Sequence, residues 1–400
     1  MKKKILMLTS GHVPVPASKS GGVENLIDIF IAENEKFKGC EIDVISIYDN
    51  VAEEMTKNIE QTKFTYIYPR KGTNFLNKLS YLVADKILRK ENSHAYSLAF
   101  TRLDYIHQAA KYIKQYGDEY EFVIIENHPS AFMTLKKYKN YKKFKDKIIY
   151  HIHNEFEETY GCKHIIEQAK IICVSQFIAD SMLRRFDIKE AQVHVLRNCV
   201  AKQELDPIFN LKKIYNIPIE NKIISFFGRI VPEKGVLELL KAVNQIDMNN
   251  LSVLIIGSST FNEDVISQYE EKVKTESENS KHQIIVTGYI DYKKIANYYA
   301  QSDLIVVPSI WDDPAPLTVI ESIIYDRPLI ATRSGGIPEY AREGSAMLVE
   351  RSGNLIDNLT QGIQILLFNK EKLFEINNKR KVLIHEFTTE KYYQTYKKLI

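Results

Sequence analysis

Long apolar runs are missing from this chain: none of its 400 residues belongs to a stretch near the roughly 18 residues that a membrane-spanning helix needs. An integral membrane helix is therefore excluded as an organising element. Cysteine is scarce, with Cys40, Cys162, Cys173 and Cys199 alone and no C-x-x-C pair among them. That spacing indicates neither a zinc site nor a disulfide framework. Charge of one sign is lacking too, since 54 Lys and Arg stand against 51 Asp and Glu. The resulting +3 argues for no nucleic-acid partner, and no recognition motif accompanies it. After the basic start Met1, Lys2, Lys3, Lys4, only the residues from Ile5 to Leu8 are apolar. That is too short for a signal peptide and reads as a first strand, so a cytoplasmic location is expected.

What is present is ordinary globular material, 44% hydrophobic and 26% charged, in a length that exceeds one usual core. Two domains are the expectation. Short apolar runs read as strands at 3–9, 41–48, 63–68, 121–126, 147–151, 171–174 and 192–196. Helical patterns lie between them at 22–37, 75–90, 95–116, 130–140 and 176–186. Residues 203–219, with Pro207 and Pro218, read as a linker. Strands then resume at 222–227, 251–256, 283–287, 303–307 and 329–331, and helices close the chain near 354–368, 370–385 and 388–399. This alternation argues parallel sheets with helices on both faces.

The chain is organised around the stretch from Pro308 to Glu339. A buried strand ends at Val307, and a loop carries Asp312 and Asp313, with Pro314 and Pro316 fixing φ. A helical pattern starts at Leu317 and stops at Asp326-Arg327-Pro328. A second strand ends in Ser334-Gly335-Gly336, where another helix begins. Two strand-to-helix junctions thus lie at the carboxyl edge of one sheet, where open α/β sheets bind ligands and helix N-termini suit phosphate.

Other candidates share that logic. Gly21-Gly22-Val23-Glu24 opens a helix after the first strand, without the G-x-G-x-x-G spacing of a dinucleotide fingerprint. His128 follows one buried strand, and His151, His153, Asn154 and Glu155 sit on or after the next. Gly228-Arg229 and Lys234-Gly235 follow the strand at 222–227. Fixed cations there would stabilise a departing diphosphate as it gains charge. Between Lys136 and Lys147 there are seven lysines against Asp146 alone, interleaved with Tyr138, Tyr141 and Phe144. That run suits an anionic membrane surface, and through it a peripheral position on the inner face of the cell membrane.

Asp313 and Glu321, eight residues apart and followed by G-G-I-P-E, resemble the acidic–x7–Glu signature of retaining GT-B glycosyltransferases of family 4, or group 1. Most members carry Glu where this chain has Asp313. G-R-x-x-x-x-K-G from Gly228 to Gly235 matches the same family. The resemblance implies an α/β GT-B fold: two doubly wound, Rossmann-like parallel-sheet domains facing a central cleft. Residues 1–203, joined by a helix at about 386–400, would bind the acceptor, and residues 204–385 the nucleotide sugar. Arg229 and Lys234 would hold the pyrophosphate, with backbone of Gly21, Gly22, Pro316, Leu317 and Thr318 nearby. Ile290 would lie against the nucleobase, Glu321 would bind the ribose and Asp313 the sugar. His128 would face the sugar and the attacking hydroxyl, with Glu24, His153, Asn154 and Glu155 on the acceptor side. A UDP-sugar donor is implied, with neither metal nor other cofactor. A glycan or lipid-linked glycan of cell-surface polysaccharide is the implied acceptor. The family usually reads P-N-G-V-D where this chain has Arg197, Asn198, Cys199, Val200 and Ala201, leaving Asn198 as the one carried polar group. Two alternatives stay open: another enzyme on the same scaffold, such as a nucleotide-sugar epimerase, and a non-catalytic GT-B subunit.

Overall fold

Residues 2–19, 21–87, 97–259, 267–342 and 344–400 are described in the computed structural model of the chain. They divide into two units, the first formed by Met1–Arg197 with Tyr392–Ile400 and the second by Asn198–Lys391.

The first unit carries the strands β1 (Lys3–Leu8), β2 (Cys40–Ile47), β3 (Thr62–Ile67), β4 (Phe122–Glu126), β5 (Ile148–Ile152), β6 (Lys170–Cys173) and β7 (Val193–Val195). They form one sheet in the order β3-β2-β1-β4-β5-β6-β7. Every pairing is parallel. Ile, Leu and Val dominate because both faces are covered by helices, and Ile5, Leu6, Met7 and Leu8 are wholly buried. The strand order reverses between β1 and β4, so their carboxyl ends open a crevice.

The second unit repeats the scheme with β8 (Lys222–Phe227), β9 (Leu251–Ile256), β10 (Gln283–Gly288), β11 (Leu304–Val307), β12 (Leu329–Thr332) and β13 (Met347–Val349). Their order is β10-β9-β8-β11-β12-β13, again all parallel. Here the reversal falls between β8 and β11. Strand β13 has no counterpart among the expected elements. It is three residues long at a sheet edge, too short to show a period.

Two helical expectations are corrected. The pattern expected at 130–140 stops at Lys136, and a tighter 3₁₀ turn, Lys137–Phe144, follows. Tyr138 and Lys139 adopt φ of 58° and 57°, which an α-helix cannot accommodate. The helix expected at 75–90 runs Thr73–Leu82, with one π turn at Val83–Ile87, and residues 88–90 lie outside the described residues. Residues 95 and 96 of the helix expected at 95–116 lie outside them as well, and the described helix is Ala99–Tyr116.

The final residues belong to the first unit for a chemical reason. Tyr392, Tyr393 and Tyr396 are buried, and each hydroxyl among such rings needs a partner. Tyr393 donates to Asn34 Oδ1 at 2.9 Å, and Tyr396 donates to Glu126 Oε1 at 3.0 Å. Glu126 is thereby shared between β4 and the last helix.

Candidate functional site

At the carboxyl edge of the second sheet, three loops interlock. After β8, Gly235 adopts φ +72°, and a Cβ there would lie 2.0 Å from the Pro308 carbonyl oxygen. After β12, Gly335 adopts φ +51°, and a Cβ would stand 2.4 Å from the Asp313 carbonyl oxygen. Only glycine satisfies both the left-handed backbone and the close approach. The backbone N–H of Ile310 donates to Glu233 O at 3.0 Å, and that of Gly336 to Asp313 O at 2.9 Å. The loops after β8, β11 and β12 are therefore one assembly.

Lys234 and Asp313, expected as partners of one ligand, are joined directly in an ion pair. Asp313 is 5% exposed, so burying that carboxylate requires the cation. The Lys234 ammonium also sits 5.6 Å from the centre of the Trp311 ring. Arg351, which the sequence reading had not singled out, braces the same loop. It donates to Ile310 O at 2.9 Å and meets Asp312 Oδ1 at 2.5 Å. Arg229 is exposed at the end of β8. The helix Leu317–Ile324 begins after Pro316, and no side chain caps its first turn. Its open N-terminus and Lys234 belong to the same edge, an arrangement suited to an anion.

Glu321 lies one turn into that helix and is 5% exposed. Tyr299 donates to its Oε2 at 2.7 Å. Burial raises its pKa, opposed by hydrogen bonds from Tyr299 and Tyr292. Sequence reasoning missed both tyrosines. Tyr299 stacks on Phe227 with centroids 3.8 Å apart, which fixes its hydroxyl beneath the carboxylate. Thr318 donates to the Phe227 carbonyl at 3.3 Å, tying the helix start to the end of β8. Ile290 packs on the core under the helix Leu317–Ile324, and Asn198 donates its N–H to Tyr340 Oη at 3.0 Å.

In the first unit, His128 follows β4. Its Nδ1 accepts the Ser130 N–H at 3.2 Å, which leaves any proton of the neutral ring on Nε2. Burial, then Arg102 and His12, lower its pKa to about 3. His128 is thus a neutral hydrogen-bond donor near pH 7 rather than a proton acceptor. With Asn127, Asn154, Glu155, Phe156 and Tyr160 it lines a cavity of about 410 Å³.

His153 is placed differently. It and His151, two apart on adjoining strand positions, point to one face and converge on Glu126. His151 Nδ1 is 3.1 Å, and His153 Nε2 3.5 Å, from Glu126 Oε2. The three ligand atoms lie within 4.8 Å of one another, close enough to surround a cation. Tyr396 and His151 already occupy the two oxygens of Glu126, while Nε2 of His151 and Nε2 of His153 are buried with no hydrogen-bond partner among the described residues. Glu155 accepts a hydrogen bond from Ser181, and Asn154 is exposed.

Gly21 precedes the helix Gly22–Phe37 in extended backbone, so its lack of a side chain serves space instead of φ. A Cβ there would meet Glu24 Oε2 at 2.2 Å. Glu24 and Asp28 are two carboxyls whose pKa burial raises to about 7. Asp28 Oδ2 accepts the Ala17 N–H at 2.8 Å, while Oδ1 is buried without a partner among the described residues. A carboxyl with a raised folded pKa favours folding below its unfolded value and opposes it as pH rises towards 7. Asp28→Asn keeps the acceptor and removes the charge. Urea titrations should show it stabilising the protein more at pH 8 than at pH 5, by roughly the 1–3 kcal/mol an unsatisfied buried polar group costs. An equal effect at both pH values would contradict the assignment.

Two parallel-sheet units of this topology define the GT-B fold. The chain superposes over its whole length on a glycosyltransferase from Rickettsia africae, with TM-score 0.73, 21% identity and 98% of that chain covered. It is also similar to Anabaena HepE solved with UDP and glucose, at TM-score 0.72 and 17% identity, covering 99% of this chain and 98% of that one. Residues 208–382, within the second unit, match the family described as "Glycosyl transferases group 1". Among curated relatives, a lipopolysaccharide 1,2-N-acetylglucosaminetransferase of Salmonella typhimurium is 26% identical over 60% of this chain and 62% of its own length. A putative glycosyltransferase, YtcC, of Bacillus subtilis is 28% identical over 60% of this chain and 64% of its own. The matches thus span somewhat under two thirds of both relatives.

Proposed function

We propose that the protein is a retaining glycosyltransferase that moves a sugar from a nucleotide donor, a UDP-sugar, to a hydroxyl of a glycan or lipid-linked glycan of cell-surface polysaccharide. The observation that carries this reading is the interlocked edge of the second unit, where Lys234, Asp313, Arg351 and an uncapped helix N-terminus come together. HepE, a relative in fold, was solved with UDP, and the Salmonella relative is named for lipopolysaccharide; both support the choice of donor and acceptor.

In this reading the diphosphate lies against Lys234, Arg229 and the N–H groups of Leu317 and Thr318. Glu321 takes the ribose hydroxyls and Ile290 the base. The bond between the anomeric carbon and the phosphate oxygen breaks, and its electron pair leaves with the diphosphate. The acceptor oxygen bonds to the same face of that carbon, and its proton passes to the departing phosphate oxygen. Fixed cations lower the barrier because they bind the charge as it develops. The reading needs no metal ion, since the diphosphate charge meets two side-chain cations. It gives Asp313 the sugar hydroxyls and the neutral His128 a donor's part towards the sugar or acceptor. An anionic membrane surface, at the inner face of the cell membrane, is a further partner in this reading.

A panel of nucleotide sugars in a thermal-shift assay tests this. The true donor at 100 times its dissociation constant should add about 2.7 kcal/mol to stability. A panel spanning UDP-, GDP- and ADP-sugars without any shift would overturn it.

A further inference from the structure

The helix Thr73–Leu82 of the first unit is built inside out. Two of its short polar residues, Thr73 and Asn77, are buried at 8% and 4% exposure. Asn77 donates to Thr101 Oγ1 at 2.7 Å and accepts the Phe100 N–H at 2.9 Å, which fastens the helix to the start of Ala99–Tyr116. The outward face is the apolar one. Phe75 is 70% exposed, Leu76 39%, Leu79 49% and Leu82 44%. Helices of globular proteins ordinarily turn such a stripe to the core. Among the described residues nothing covers the stripe, and contiguous exposed apolar surface of this kind marks an interaction site.

The surroundings identify the partner's chemistry. Arg70, Lys71, Lys78 and Lys86 are exposed on or beside the helix. Asp104, the acid described next to them, is engaged by Arg70 at 3.1 Å. A shallow groove joins Arg70, Lys71, Phe75, Leu76, Leu103 and His107. His107 lies in the field of Lys137, Lys111 and Arg70, so the basic rim continues onto the neighbouring helix and reaches the lysine run. A second copy of the chain on a twofold axis would set these cations against one another. A surface that is apolar inside and anionic at its boundary meets both halves of the patch. We infer that the outward face of Thr73–Leu82 and its basic rim dock on an anionic lipid surface, seating Phe75, Leu76, Leu79 and Leu82 at the boundary between headgroups and acyl chains.

This inference stands apart from the glycosyltransferase reading, because vesicle binding needs no donor or acceptor. It also moves the membrane contact. Phe144 is wholly buried, Lys136 donates to Gly161 O at 2.9 Å, and Lys143 pairs with Asp118 at 2.6 Å. Two of the seven lysines and the Phe144 ring are therefore committed to the fold.

Co-sedimentation of the full chain with phosphatidylglycerol-containing and pure phosphatidylcholine vesicles tests it. Wild type should pellet with the anionic vesicles, less so at high salt. Phe75→Ser with Leu79→Ser should weaken partitioning at least about tenfold through lost apolar burial. Lys71→Glu with Lys78→Glu should weaken it about tenfold or more. Neither pair should lower the melting temperature. Unchanged pelleting of both double variants, or loss only with Lys139→Glu and Lys142→Glu, overturns the inference. So does a lowered melting temperature of Phe75→Ser with Leu79→Ser, which would show this face packed by the chain itself. Dissociation of a dimer by the same variant, seen by analytical ultracentrifugation, would assign the face to a second copy.

Discussion

Lys234→Ala lowers turnover at least about tenfold, the loss expected when one fixed donor to a developing negative charge is removed. The structure adds a second consequence. Lys234 is the ion-pair partner of Asp313, which is 5% exposed, so the alanine variant leaves a nearly buried carboxylate uncompensated. Its melting temperature should fall as well. Arg229→Ala separates the two effects, because Arg229 is exposed and its removal strands no buried group. It should lose turnover to a similar degree with its melting temperature intact. Steady-state kinetics on both variants, with thermal unfolding alongside, checks the pair. Wild-type turnover in both variants, under conditions where chemistry limits the rate, would remove the pyrophosphate assignment.

The strands were legible because both sheets are parallel and covered on both faces. Such strands read as unbroken apolar runs: Phe122-Val123-Ile124-Ile125 became β4, and Leu304-Ile305-Val306-Val307 became β11. The edge with Lys234 and Asp313 was legible because its glycines and prolines punctuate the chain where close approach demands them, as at Gly235 and Gly335. Contacts made by residues distant in sequence left no local trace. Tyr299 reaches Glu321 across 22 positions, and Arg351 reaches Asp312 across 39. His153 was expected on the acceptor side because polar residues at strand ends face a crevice. Its spacing of two from His151 turns both rings to Glu126, with the His151 ring also against Tyr396. Helical periodicity likewise locates an apolar stripe on Thr73–Leu82 and says nothing of which side faces water. Asn77, by capping its neighbour, decides that.

Glu321 bears the most specific part of the donor assignment. Its carboxylate sits one turn inside a helix whose first turn is uncapped, and Tyr299 holds one oxygen at 2.7 Å. Burial raises its pKa, and hydrogen bonds from the two tyrosines, which favour the charged form, oppose that rise. A charged acceptor so placed can bind two vicinal ribose hydroxyls, which a neutral amide matches poorly because half of it donates. Hydrogen bonds to a charged group contribute about 1.5–3 kcal/mol, so Glu321→Gln should raise the dissociation constant for the nucleotide roughly 10- to 150-fold. Acceptor affinity should change little, and Asp313→Glu, restoring the residue usual in the family, should stay active. Calorimetric titration of UDP into wild type and Glu321→Gln is the most direct measurement. Binding by wild type with that loss in the variant is the result expected. Equal affinity in the two proteins, or no binding of UDP by wild type, would contradict a UDP-sugar site at this sheet edge.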